Sequence, residues 1–315
     1  MSVLFAFPGQ GSQQAGMLHH LPDHPACHAT LQTAATVLEQ PPTALDSATA
    51  LQSTVAVQLC LLIAGVASAR WLQQQDIRPQ MVCGLSIGAF AAAVCAGVLD
   101  FADALRLVRL RAQLMEQAYP HGYGMSAITG LKLPALQTLL DRVQAEGFPV
   151  YLANINAERQ LVVAGADDGL ARISQLSLQA GAARCQRLVI SVPSHCCLLA
   201  QPADELQQAL RDIPLQAPAL DYLSANAARV LRTPAQIRDD LAGNMARTVH
   251  WHDTARLAWE RGARLALEMP PGSTLTRLLH PVFTPGEAMA VADSRLDSLQ
   301  HAARRLSQDD AGQHG

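Results

Sequence analysis

Gly84-Leu85-Ser86-Ile87-Gly88 lies between the apolar run Met81-Val82-Cys83 and the alanine-rich Ala89-Phe90-Ala91-Ala92-Ala93, and this setting leaves the chain few ways to fold locally. A serine between a strand and a helix sits on a turn too tight for side chains at the flanking positions, so glycines at 84 and 88 supply the clearance. Such a turn pushes the serine hydroxyl outward. The helix starts at once, so its unpaired amides and the positive end of its dipole lie near any negative charge that forms there. Ser86 therefore reads either as a nucleophile on an elbow or as a packing turn.

The 315 residues are 50% hydrophobic, enough for one large domain or for a main domain carrying a smaller one. Net charge is −3 and 16% of residues are charged, which argues against a polyanion-binding surface, so nucleic acid is not an expected partner. The seven cysteines are scattered and form no C-x-x-C pair; they read as reduced thiols of a cytoplasmic protein. Val3–Phe7 has no basic flank and stops at Pro8, unlike a signal peptide. Gln58 interrupts the apolar stretch from Val55 to Val66 and Arg70 follows soon after, so it is expected to be a buried helix and not a membrane span.

In chain order, Val3–Phe7 reads as a buried strand, ended by Pro8-Gly9-Gln10-Gly11-Ser12-Gln13. That loop either turns backbone amides toward a ligand or is a plain turn. A long helix is expected from Ser47 to Gln75, a strand from Ile77 to Cys83, and helices from Ala89 to Val98 and from Asp100 to Tyr119. Of Arg106, Arg109 and Arg111 on the last of these, two suit the solvated face and one can point inward. Residues 124–192 change to short elements in the order β-α-β-β-α-β, the ferredoxin-like arrangement. The expected fold is thus α/β: a large α/β-hydrolase-like domain with a mostly parallel sheet, formed by 1–123 and 193–315, and an inserted ferredoxin-like α+β subdomain at 124–192. The polar end from Ser307 onward is expected to fray.

A serine is a weak nucleophile until a base takes its proton, so the elbow calls for a histidine brought near in space. His19, His20, His24 and His28 have metal-like spacing in part, but Pro22 and Pro25 argue against a regular helix that would align them, and a solvated loop is the alternative. His195 stands at a strand-to-helix junction, where site residues of open α/β folds gather.

With these residues in hand, the sequence resembles the malonyl-CoA:acyl carrier protein transacylase family. Four separated motifs spanning nearly the whole chain carry the resemblance: Phe7-Pro8-Gly9-Gln10-Gly11-Ser12-Gln13, Gly84-Leu85-Ser86-Ile87-Gly88, Leu110-Arg111, and Ser191-Val192-Pro193-Ser194-His195. Weaker similarity continues at Asn154-Ile155-Asn156, Val249-His250-Trp251 and Pro271-Gly272. The resemblance implies Ser86 as nucleophile, His195 as base and then acid, the amides of Gln10 and Ile87 as oxyanion donors, and Arg111 as the clamp for the malonyl carboxylate. Asn244 falls where the family orients its histidine with a side-chain or backbone carbonyl. No bound cofactor or metal is implied: malonyl-CoA is the substrate, and a phosphopantetheine or dephospho-CoA-type arm on an acyl carrier protein or subunit is the acceptor.

Leu85 departs from the Gly-His-Ser-x-Gly common in the family. Its form looks like the epsilon subunit of biotin-independent malonate decarboxylase, which implies a carrier subunit of that complex as acceptor and other decarboxylase subunits as partners. A transacylase of fatty-acid or polyketide synthesis is the alternative. Two further readings are a serine esterase, which the early Pro-Gly-Gln-Gly in place of a His-Gly motif disfavours, and a noncatalytic carrier-docking subunit, which has no need of serine, histidine and arginine together.

Overall fold

The two most apolar strands form the middle of the molecule. In the computed structural model, which describes residues 2–312, β1 (Ser2–Phe7) and β2 (Met81–Gly84) are buried almost throughout, as strands covered on both faces must be. Around them the chain runs α1 (Pro25–Leu38), α2 (Thr54–Gln74), β2, α3 (Gly88–Cys95), α4 (Phe101–Ala118), β3 (Tyr123–Thr129), α5 (Leu133–Ala145), β4 (Val150–Ala157), β5 (Gln160–Ala166), α6 (Asp167–Gln179) and β6 (Arg184–Arg187). It continues through α7 (Ala200–Arg211), β7 (Asp221–Ser224), β8 (Arg229–Leu231), α8 (Pro234–Gly243), α9 (Trp251–Glu260), β9 (Ala263–Glu268), α10 (Thr274–Leu279), β10 (Glu287–Ala290) and α11 (Leu296–Gly312).

The larger sheet has the order β10-β9-β1-β2-β7-β8, parallel except for the edge strand β8. Phe7 pairs with Gly84 and Cys83 with Leu223, so β1, β2 and β7 end side by side where Ser86 begins its turn. The smaller sheet, β4-β5-β3-β6, is wholly antiparallel and gives the ferredoxin-like order. Alternation along β5 divides its two faces: Leu161 and Val163 pack with α5 and α6 residues such as Leu136, Leu140 and Ile173, while Val162 and Ala164 turn the other way toward Met125 and Cys196. β4 is tied to the rest of the chain by Val249, whose amide and carbonyl bond to Ala153 and Ile155.

Several elements differ from the sequence expectation for identifiable reasons. Pro25 does not break a helix but starts α1, because an N-terminal position has no intrahelical use for its missing N–H; His24 caps it, Nδ1 accepting from the Ala26 amide at 3.2 Å. The helix expected from Ser47 begins at Thr54, where the Ser53 hydroxyl and the Glu116 carboxylate take the free amides of the first turn. β2 begins at Met81 and not at Ile77, since Pro79 cannot donate to a ladder. The last strand of the segment expected to run to residue 192 ends at Arg187, and residues 188–190 leave the sheet to line a cavity. Helix α11 carries the backbone regularly to Gly312 through most of the end expected to fray; residues 313–315 lie outside the described residues. α2 has the length and apolarity of a membrane span, yet 83% of its most apolar window is buried within the fold, as expected of a core helix.

Candidate active site

The elbow is dictated by sterics. A Cβ on Gly84 would overlap the backbone of Gly88 and Ala89, and one on Gly88 would overlap the Phe7 carbonyl. Between these glycines Ser86 adopts φ 56°, a left-handed conformation costly for a non-glycine residue and held here by the surrounding sheet and helix. The Leu85 amide donates to the Phe7 carbonyl at 2.9 Å, anchoring the turn to β1. α3 follows directly.

His195 reaches the same point from the loop after β6. Its Nε2 is 2.8 Å from Ser86 Oγ, while its Nδ1 faces two carbonyl oxygens, Asn244 at 2.9 Å and Arg247 at 3.3 Å. Two acceptors at Nδ1 require the proton there, which leaves the Nε2 lone pair for the serine hydroxyl. His195 is also left-handed, φ 66°, with its own amide donating to Met245 at 2.7 Å. The short turn 244–247 thus holds the histidine through three backbone carbonyls. Burial, and then the nearby Arg111 charge, lower the His195 pKa to about 4, against the raising effect of the carbonyl contacts.

Of the three arginines on α4, Arg106 pairs with Asp103 on the surface and Arg109 donates to the Leu38 carbonyl. Arg111 is fully buried. Its Nη1 donates to Gln58 Oε1 at 2.6 Å, and its Nη2 donates to Asn244 Oδ1 at 3.1 Å and to Ser86 Oγ at 3.3 Å. Every one of these acceptors is neutral, and Arg111 Nε has no partner among the described residues. Burial pushes the guanidinium pKa down to about 9. A buried cation without a counter-charge is costly, and a ligand carboxylate would remove that cost.

A cavity of about 530 Å³ opens over these groups, lined on one side by Gln10, Leu85, Ser86 and His195 and on the other by residues of the smaller sheet, among them Asn154 and Asn156. A larger concavity, about 1220 Å³, lies between α1, α2 and the segments leading into β2 and β7. It sits at the N-terminal ends of these parallel strands, away from Ser86; the smaller cavity is at the C-terminal ends, where open α/β sheets bind ligands.

Ser86, His195, Arg111 and Asn244 are therefore brought together from four distant parts of the chain, with Gln10 in the cavity wall and Ile87 at the start of α3. The backbone amides of Gln10 and Ile87 donate to no acceptor among the described residues. Asn244 does two things: its backbone carbonyl meets the histidine and its side chain meets Arg111. His24 and His28 sit apart as a helix cap and an exposed partner of Asp23, and no metal-ligating cluster of three or more His, Cys, Asp or Glu occurs among the described residues. Gln58 escaped the sequence reading as a site residue. Its signal was present, since a glutamine inside the most apolar helix needs a buried partner.

A buried serine–histidine pair thus lies beneath a cavity at the parallel strand ends of an α/β protein, and residues 4–300 match the acyl transferase domain family, which places the chain in the acyltransferase class. The malonyl CoA-acyl carrier protein transacylase of Haemophilus influenzae is 35% identical over 299 residues, covering 91% of this chain and 94% of that protein. Among solved structures, an acyl carrier protein S-malonyltransferase from Vibrio cholerae superposes with a TM-score of 0.89 at 35% identity, over 95% of this chain and 100% of that one. A malonyl-transacylase solved in complex with its holo type II polyketide synthase acyl-carrier protein gives 0.90 at 34% identity, over 97% and 100%. The chain belongs to the malonyl-CoA:acyl carrier protein transacylase family.

Proposed function

We propose that this acyltransferase moves a malonyl group from malonyl-CoA, by way of an ester on Ser86, to the phosphopantetheine thiol of an acyl carrier protein in fatty-acid or polyketide synthesis. The observation that carries the reading is the convergence on Ser86 Oγ of His195 Nε2 at 2.8 Å and a buried guanidinium with only neutral partners at 3.3 Å. Ser86 Oγ attacks the thioester carbonyl as its proton passes to His195 Nε2, and the amides of Gln10 and Ile87 receive the oxyanion. Collapse of the tetrahedral adduct breaks the C–S bond, and His195 returns its proton to the departing thiol. The carrier thiol then gives its proton to His195 and attacks the ester; Ser86 recovers a proton as the acyl group leaves. Throughout, Arg111 holds the malonyl carboxylate. The same reading assigns 1–123 and 193–315 to one discontinuous domain and 124–192 to an inserted one.

Malonate decarboxylase is the second reading, and Leu85 alone favours it. In the structure Leu85 packs against the core cluster that contains Leu275 and lines the cavity together with Leu275 and Leu278, an apolar wall compatible with either carrier arm. The relatives named above are transacylases, which supports the first reading over the second. An esterase reading lacks a carboxylate at His195 Nδ1, where two carbonyls stand instead.

The test is intact-mass measurement after mixing with malonyl-CoA: a malonyl adduct is expected on the wild-type chain and none on Ser86→Ala. A folded wild-type protein that gains no adduct ends the proposal. Transfer rates from the adduct to a phosphopantetheine carrier and to a carrier with the dephospho-CoA-type arm then distinguish the two acceptors, with the phosphopantetheine carrier expected to be faster.

A further inference from the structure

Asp240 is a buried carboxylate on α8 to which the transfer chemistry assigns no task. It lies one turn before Asn244, on the helix that leads directly into the turn holding His195. Its two oxygens are bound to β7: Ser224 Oγ donates to Oδ1 at 2.5 Å and Tyr222 OH donates to Oδ2 at 3.2 Å. Ser224 Oγ in turn accepts from the Ala227 amide at 3.0 Å, which directs its proton to the carboxylate. Tyr222 OH also lies 3.5 Å from the Ala89 carbonyl, in the first turn of α3 behind the elbow. β7 is the register partner of β2 through Cys83 and Leu223.

These contacts form a continuous path between the two halves of the site. Ser86 is fixed to β2 and α3; β7 is fixed to β2; Asp240 fixes α8 to β7; and α8 ends in the carbonyls that hold His195. On its outer side the same turn is closed by Asp239, which takes both Nη groups of Arg247, at 2.7 and 3.0 Å. The groups facing Asp240 are therefore Tyr222 and Ser224 from β7 and Arg247 at the end of the turn, with Asp239 as its neighbour and Arg229 of β8 beside Asp239. An apolar residue would fill this place at less desolvation cost, so the buried carboxylate has to be explained by what it positions.

We propose that Asp240, through Tyr222 and Ser224, is a positioning residue that sets the 244–247 turn, and with it His195 Nε2, against the Ser86 hydroxyl. The inference rests on the reading of Ser86 and His195 as nucleophile and base. Asp240 lies outside the lining of the 530 Å³ cavity, so its loss acts on the rate of acyl-serine formation more than on malonyl-CoA binding.

The experiment measures single-turnover formation of the malonyl adduct, per folded molecule, in Asp240→Ala, Asp240→Asn, Ser224→Ala and Tyr222→Phe. Asp240→Ala is expected to slow adduct formation by about 10- to 100-fold with KM for malonyl-CoA within about twofold, the cost of a histidine displaced by a fraction of an ångström to an ångström. Asp240→Asn keeps an acceptor for Ser224 and a polar partner for Tyr222, and is expected to recover most of the rate. A purely structural role would lower the melting temperature of Asp240→Ala and leave its rate per folded molecule unchanged; that result, or an Asp240→Asn as slow as Asp240→Ala, overturns the proposal. If Asp240→Ala does not fold, Ser224→Ala and Tyr222→Phe decide: both slowing supports it and both at wild-type rate overturns it. Failure of the underlying reading shows separately, as an adduct that persists in Ser86→Ala.

Discussion

The two sides of the candidate site are built on different principles. On the serine side, the backbone of Ser86 is fixed by the glycines that flank it and by β1 across the sheet, and the geometry follows from the absence of two Cβ atoms. On the histidine side, His195 sits in an irregular loop and takes its position from carbonyls about 50 residues later in the chain, in a turn itself anchored by side chains of α8. The first arrangement is sterically over-determined, by two glycines beside the serine and the β1 backbone that faces them. The second is long-range and made of hydrogen bonds, each of modest net worth. Damage to the serine side should therefore appear first as loss of fold, and damage to the histidine side first as loss of rate.

The sharpest way to break that contrast is Gly88→Ala set beside Arg247→Ala. A methyl at 88 meets the Phe7 backbone, which cannot move without disrupting β1, so a destabilisation above about 4 kcal/mol or failure to fold is expected. Arg247 and Asp239 form a half-exposed ion pair, and its loss should cost no more than about 1 kcal/mol. Denaturant midpoints measure both. Equal costs would show that the elbow is no more constrained than the turn.

Arg111 belongs to both sides, since it touches Ser86 and Asn244, and its variants come next in size. Arg111→Ala should lower malonyl transfer relative to acetyl by roughly 1.5 to 3 kcal/mol, the worth of a charge-assisted pair, on competition between the two CoA esters. Gln58→Leu removes the shortest bond to the guanidinium and leaves it held through Nη2 alone, so a smaller loss of the same preference is expected, about 1 kcal/mol. If malonyl and acetyl transfer fall in parallel in both variants, Arg111 does not clamp the carboxylate.

The same contrast explains what could be read before the structure. The elbow, the buried strand β1, the C-terminal end of β2 and the β-α-β-β-α-β order depend on local pattern, and each lies close to its expected place. The edge strands β8 and β10 are three and four residues long and half-buried, too short to show a period. α1 was concealed by Pro25, which breaks a helix interior but suits a first turn. Gln58 stood out as a polar residue in an apolar helix, yet its partner is 53 residues away and nothing local names it. The acceptors of His195 are backbone atoms, and a backbone carbonyl leaves no trace in side-chain identity. Of Asn244, only the side chain turned toward Arg111 is written in the sequence.

The subtlest effect is on the pH dependence of the rate, and it probes the coupling between the two sides. His195 is held low, to about 4, by burial first and by the Arg111 charge second. A histidine that must be neutral to accept the serine proton stays competent as pH falls until it passes its own pKa, so the acid limb of kcat/KM for the free enzyme should lie well below the ordinary histidine value. Once malonyl-CoA is bound, its carboxylate offsets the guanidinium charge, the repulsion that disfavours imidazolium weakens, and the His195 pKa rises. The acid limb of kcat for the malonylation half-reaction should therefore lie at higher pH than that of kcat/KM. With acetyl-CoA, which brings no carboxylate, the two limbs should coincide more nearly. Limbs that separate equally for both substrates would mean that Arg111 and His195 are not electrostatically linked through the bound acyl group, and that the two sides of the site are joined by hydrogen bonds alone.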